Sequence, residues 1–155
     1  KTKKWERVIG GVPGLTALIS PKLDHVFYSG TNQGALATGF YDRKLDFFGR
    51  LDIRTWADKC VWTRGGIIAY CAGPTSLPAG YNYPDDWYRG EVDLADNLWK
   101  LNATTNRAEI VFSPSVAKLG VDIDASNLLL SGDENTLYLT NRYDDNLWSL
   151  TLDSG

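Results

Sequence analysis

One strand–turn–strand unit recurs three times along the 155 residues of this chain. It reads TALIS-PKLD-HVFYS over 16–29, KCVW-TRGG-IIAYC over 59–71 and NLLLS-GDEN-TLYLT over 127–140. After a loop comes a further apolar strand: LATGFYD at 36–42, DNLWKLN at 96–102 and DNLWSLT at 145–151. Such a serial β-unit restricts the fold strongly. One copy cannot bury both of its apolar faces, so copies must stack on one another in a radial or linear array.

Composition agrees. Six Trp, eight Tyr and five Phe alternate with turns built from 15 Gly and many Asn and Asp, as in all-β proteins. No segment carries the three-and-four spacing of apolar residues that makes a long amphipathic helix. Net charge is −3 and pI about 5.1, which gives no electrostatic reason to expect nucleic acid or an anionic membrane as partner. No apolar run approaches a membrane span, and no signal peptide is present. The chain starts Lys1-Thr2-Lys3-Lys4 and contains no Met, so it is expected to be a processed or excised piece.

With strands named A to D, unit one has A near Thr16–Ser20, B at His25–Ser29, C near Leu36–Asp42 and D near Leu45–Gly49. Unit two has A at Lys59–Thr63, B at Ile67–Cys71, C at Asp96–Asn102 and D at Ala108–Phe112. Unit three has A at Asn127–Ser131, B at Thr136–Thr140 and C at Asn146–Thr151, and then stops. Trp5-Glu6-Arg7-Val8-Ile9 stands where a D strand belongs, just before the first A strand. The order is therefore D, ABCD, ABCD, ABC: units 10–49, 50–112 and 113–155, the last completed by residues 5–9 of this or a partner chain.

Four-stranded units with an N-L-W-x-L third strand resemble the blades of bacterial β-propellers of the TolB-like and Trp-Asp-repeat-like kind. The string from Lys59 to Leu101 is similar to one in large envelope or extracellular bacterial proteins. The resemblance implies a partial propeller in an extracellular or cell-envelope setting and names no activity. Propellers have four to eight blades. Three blades therefore imply either a piece of a longer ring or a half-ring that pairs with another copy of itself, since open blade faces are apolar.

Cys60 and Cys71 flank Gly65-Gly66, a two-residue hairpin signal. Counting outward, Arg64 faces Ile67, Trp62 faces Ala69 and Cys60 faces Cys71, which predicts a cross-strand disulfide. The same count puts the pair at a hydrogen-bonded position, with Cα atoms about 5.5 Å apart. The alternative is two buried thiols acting as small apolar groups. A disulfide would imply an oxidising compartment.

The longest loop, residues 73–90, is the candidate binding element, because long loops on rigid β-scaffolds carry function. Tyr81, Tyr83, Trp87 and Tyr88 could stack on a sugar or peptide while Asp85, Asp86 and Arg89 hold its polar groups. Equally, Tyr83, Trp87 and Tyr88 could fold back as a small core of the loop. Trp99 and Trp148, at matching positions, are expected to pack between blades. Asp96-Asn97 and Asp145-Asn146 read as turn residues, and Val121-Asp122-Ile123-Asp124 as a strand edge.

No catalytic, metal or cofactor signature is present. His25 is the lone histidine, and the acids lack the spacing of a calcium loop. Asn102-Ala103-Thr104 reads as a turn. The expected function is a non-enzymatic binding or structural module for protein or glycan. A fragment of a propeller hydrolase, such as a glycosidase or lactonase using Asp85/Asp86 with a second acid and catalytic residues partly supplied elsewhere, is the alternative.

Overall fold

The computed structural model describes residues 3–33 and 35–152; the ends of the outer units, 1–2 and 153–155, lie outside the described residues, as does Gly34. Among the described residues, eleven strands form three antiparallel meanders. The first contains β1 (Thr16–Ile19), β2 (His25–Asn32), β3 (Ala35–Asp42) and β4 (Phe47–Leu51). The second contains β5 (Cys60–Trp62), β6 (Ile68–Pro74), β7 (Asp96–Asn102) and β8 (Arg107–Phe112). The third contains β9 (Ala125–Leu130), β10 (Thr136–Asn141) and β11 (Asn146–Thr151). One short helix, α1 (Asp85–Tyr88), interrupts the insertion between β6 and β7.

The inner hairpins share one turn. In each, the residue that follows the first strand of the blade donates its N–H to the carbonyl five positions on: Ser20 to His25 (2.8 Å), Thr63 to Ile68 (2.9 Å) and Ser131 to Thr136 (2.8 Å). The carbonyl of the same residue accepts from Leu23, Gly66 and Glu134, respectively. Those three residues have φ of 62°, 70° and 62°. The loops are thus four residues long, and only one position needs the left-handed region that Gly favours. The expected two-residue Gly65-Gly66 turn is replaced by Arg64–Ile67. Hydroxyls of Ser20, Thr63 and Ser131 add a bond across each closing pair.

That turn alters the cysteine geometry but not its register. Cys60 pairs with Cys71 and Trp62 with Ala69, and the two sulfurs form a disulfide of 2.04 Å. Because Thr63–Ile68 is the hydrogen-bonded closing pair, Cys60–Cys71 falls at a non-hydrogen-bonded position. Its Cα atoms are 4.1 Å apart, closer than expected, as such pairs are.

Alternation along the strands buries the middle sheet on both faces. Ala69 and Cys71 of β6 face the first sheet, packing with Phe27, Phe40, Trp62 and Leu101. Ala72 of β6 and Leu98 of β7 face the third, packing with Leu128, Leu137 and Leu139. Trp99 lies half-buried against the first core and Trp148 against the second. Thr55, in the link between the first two sheets, donates its hydroxyl to Ala72 O of the second, while Thr38 of the first donates to Thr55 O. These are propeller blades stacked face to face.

The third blade holds the A, B and C strands expected of it, as β9, β10 and β11. It has three strands among the described residues, and Trp5–Ile9 forms no strand. Trp5 is 99 % exposed.

Candidate functional site

The insertion leaves β6 at Pro74 and returns to β7 at Asp96, its neck closed by Thr75 N–H donating to Ala95 O at 2.8 Å. Inside it, α1 is held by Asp86. One Asp86 oxygen accepts from Asn82 N–H at 2.7 Å and the other pairs with Arg89. Arg89 also binds Glu91 at 2.8 Å. Trp87, 3 % exposed, drops into a third core made with Trp56, Val92 and Leu94, with Leu36, Leu77 and Tyr83 at its margin. Tyr83 stacks on Trp56 and donates its hydroxyl to Pro78 O at 3.0 Å.

The seven candidate ligand residues are therefore split. Asp86 and Trp87 are buried and serve to anchor the loop, because apolar area and an internal ion pair hold them inward. Tyr83 is half-buried. Tyr81, Asp85, Tyr88 and Arg89 remain exposed. Tyr88 donates to Asp58, and partial burial together with that carboxylate raises the phenol pKa well above its ordinary value.

Beneath Trp87 lies a cluster that was not legible as one site in the chain. Lys59, fully buried, donates to Asp96 Oδ2 at 2.5 Å and to Asp124 Oδ1 at 2.8 Å. Its ammonium sits 4.8 Å from the centre of the Trp87 ring and 5.3 Å from that of Trp56, where cation–π attraction adds to the ion pairs. Trp87 Nε1 donates to both Asp124 oxygens at 2.9 and 3.0 Å, and Leu94 N–H to Oδ2 at 3.1 Å. Arg142 also lies over the Trp87 ring, 4.2 Å from its centre.

The two carboxylates differ in support. Asp124 accepts four bonds, while Asp96 accepts from Lys59 and Ala125 N–H on Oδ2 and leaves Oδ1 without a partner. Burial pushes the Asp96 carboxyl up to about 6, against the pull of Lys59. One cation between two anions leaves an excess negative charge in a dry interior, and protonation of Asp96 removes it. Asp96 is thus not the local turn residue expected; its acceptor bonds reach Lys59 and Ala125, far along the chain. Asp124 is likewise not a solvated strand edge. A usable signal existed: Lys59 and Asp124 stand directly before β5 and β9, the first strands of their blades, and a charged residue entering a buried strand has to be paired. Chemically, the ammonium fills the place a bound cation would take, so the cluster ties blades two and three together.

His25 bridges blades as well, its Nδ1 3.1 Å from Gly66 O and its Nε2 3.6 Å from Asp42. Asn102 Oδ1 accepts from Thr104 and Thr105 N–H in a tight turn.

Fold and site together define a propeller-blade array with a capped insertion. In comparisons with solved structures, the chain is similar to TolB from Acinetobacter baumannii, at 9 % identity and a TM-score of 0.51, over 95 % of this chain. It spans about a third of that protein's length, 34 %. It also matches the tricorn protease at 11 % identity over 88 % of this chain and 21 % of that one; the TM-score of 0.33 is too low to bear on the fold. No protein-family model matches the sequence, and no curated protein does. The likeness to TolB extends to the fold alone.

Proposed function

We propose that this chain is a non-enzymatic β-propeller scaffold from an extracytoplasmic protein, which grips a protein or glycan through the 73–90 insertion. The observation that carries this reading is the division of labour in the loop. Trp87 and Asp86 clamp it from inside, while Tyr81, Asp85, Tyr88 and Arg89 stand outward from a short, fixed stretch. Pre-ordered aromatics and charges bind at low entropic cost. The disulfide favours an oxidising compartment.

Asp85 and Asp86 give little support to a hydrolase. Asp86 is committed to Arg89 and Asn82, so the pair that glycoside hydrolysis needs would have to join Asp85 to an acid outside this dipeptide. The open faces of the outer blades support completion by further blades, from a longer chain or a second copy. Nucleic acid is not an expected partner, given the acidic net charge.

Screening the folded protein against immobilised oligosaccharides and against a peptide array tests the reading. Binding that disappears in Tyr81→Ala/Asp85→Ala, with melting unchanged, is the expected result. Binding untouched by that change, or no binder in either set, would overturn it.

A further inference from the structure

Asn97 and Trp99 of β7 each hold a buried polar atom, Oδ1 and Nε1, that meets no hydrogen-bond partner among the described residues. They pair with Gly73 and Cys71, so both side chains share the face that turns to the first blade, where Cys71 packs. Both border one cavity of about 400 Å³ at the junction of the two blades. Its other walls are the link after β4, with Asp52, Ile53 and Arg54, and the neck of the insertion, with Thr75 and Ser76. Gly73 lets the indole stand there: a Cβ on it would come within 3.0 Å of Trp99 Nε1 and 2.7 Å of Ile53 Cδ1.

The polar groups around this cavity are uncommitted, unlike their neighbours. Farther along the same link, Thr55 donates to Ala72 O, Asp58 accepts from Tyr88 and Lys59 binds two carboxylates. Asp52 and Arg54, exposed on either side of buried Ile53, carry opposite charges and make no ion pair among the described residues. A buried polar atom left unmet costs free energy, and Asn97 Oδ1 and Trp99 Nε1 carry that cost at one place.

We propose that this cavity binds an uncharged sugar unit of a glycan. The chemistry of its walls selects that ligand. Trp99 N–H and the Arg54 guanidinium need acceptors, whereas Asn97 Oδ1 and the Asp52 carboxylate need donors. A phosphate or carboxylate only accepts, and an ammonium only donates. A hydroxyl does both. A pyranose offers several hydroxyls on one compact ring, with an apolar C–H face for the half-buried indole. One positive and one negative wall residue cancel, which favours a neutral ligand. The volume falls in the range of small-molecule sites, about 300–1,000 Å³, whereas a peptide is read along a sheet edge or a long groove. The inference deepens the glycan side of the reading above, with a site apart from Tyr81, Asp85, Tyr88 and Arg89.

Titration calorimetry of the whole chain against tetrasaccharides of glucose, galactose, mannose and N-acetylglucosamine should find binding by at least one. In Asp52→Ala/Arg54→Ala, changed at exposed positions, melting should be unaltered and that binding weaker by about tenfold or more, the worth of one charge-assisted hydrogen bond. The assigned indole N–H resonance of Trp99 should shift on saturation with the same sugar. A sugar held by the cavity should still bind Tyr81→Ala/Asp85→Ala. Loss in that variant, with none in Asp52→Ala/Arg54→Ala, would assign the sugar to the exposed stretch of the insertion and overturn the cavity. No binding by any of the four sugars, an unmoved Trp99 resonance, or equally tight binding of a Ser/Asn-rich peptide would overturn it too.

Discussion

Lys59 of the second blade and Asp124 of the third meet at 2.8 Å with both side chains sealed from solvent. They lie 65 residues apart in the chain, and the loop that seals them belongs to neither strand. This contact explains why the insertion folds inward. Trp87 supplies Asp124 with a donor and Lys59 with an aromatic face at once, so the lid and the ion cluster stabilise each other.

Replacing Lys59 by Met would leave two buried carboxylates without a cation. Removing one member of a buried pair costs about 3–5 kcal/mol. Urea unfolding of Lys59→Met should show a loss of that order. A change within experimental error would mean the cluster contributes little.

Asp96 sets a pH dependence. Its folded pKa, about 6, is raised above the ordinary 3.8, so between those values the folded state holds a proton that the unfolded state releases. Stability from this group is therefore fully present below about pH 4 and lost as pH rises through about 6. Melting temperature should rise as pH falls from about 7 toward 5, and Asp96→Asn should flatten that slope. At lower pH the trend reverses, because Asp42, Asp133 and Asp144 have depressed values and lose their stabilising bonds on protonation.

The disulfide closes a loop of sequence separation 11. Chain-entropy arguments assign such a closure about 3 kcal/mol. Chemical denaturation of Cys60→Ala/Cys71→Ala should show a shift of that size. Thiol titration of the denatured, unreduced parent should find no reactive sulfur.

Within the insertion, burial sorts the residues. Trp87→Ala should cost about 3–5 kcal/mol, as large buried aromatics do, with the lid loosened as judged by proteolysis between 74 and 95. Tyr81→Ala, at an exposed position, should change stability by no more than about 0.5 kcal/mol. Equal losses at both sites would contradict the division between anchor and surface.

Much of the fold could be read in advance. β7 and β11 run over Asp96–Asn102 and Asn146–Thr151 as their repeated D-N-L-W string predicts, since alternation and turn chemistry are local. The cysteine register came from counting, which is local too. The turn type did not: Gly65-Gly66 suggested two left-handed residues, whereas the repeat uses one and tolerates Leu23 and Glu134 there. Trp5–Ile9 shows the opposite limit, a segment with strand chemistry that forms no strand here.

The sequence alone determined that this is a serial all-β chain, where its strands lie and which two sulfurs join, because those depend on near neighbours. Only the tertiary structure decided which charges go inside. Lys59, Asp96 and Asp124 look like ordinary surface residues in isolation, and each would pay heavily for burial by itself. They become tolerable together, once blade stacking and the Trp87 lid remove water and bring the opposite charges within hydrogen-bond reach.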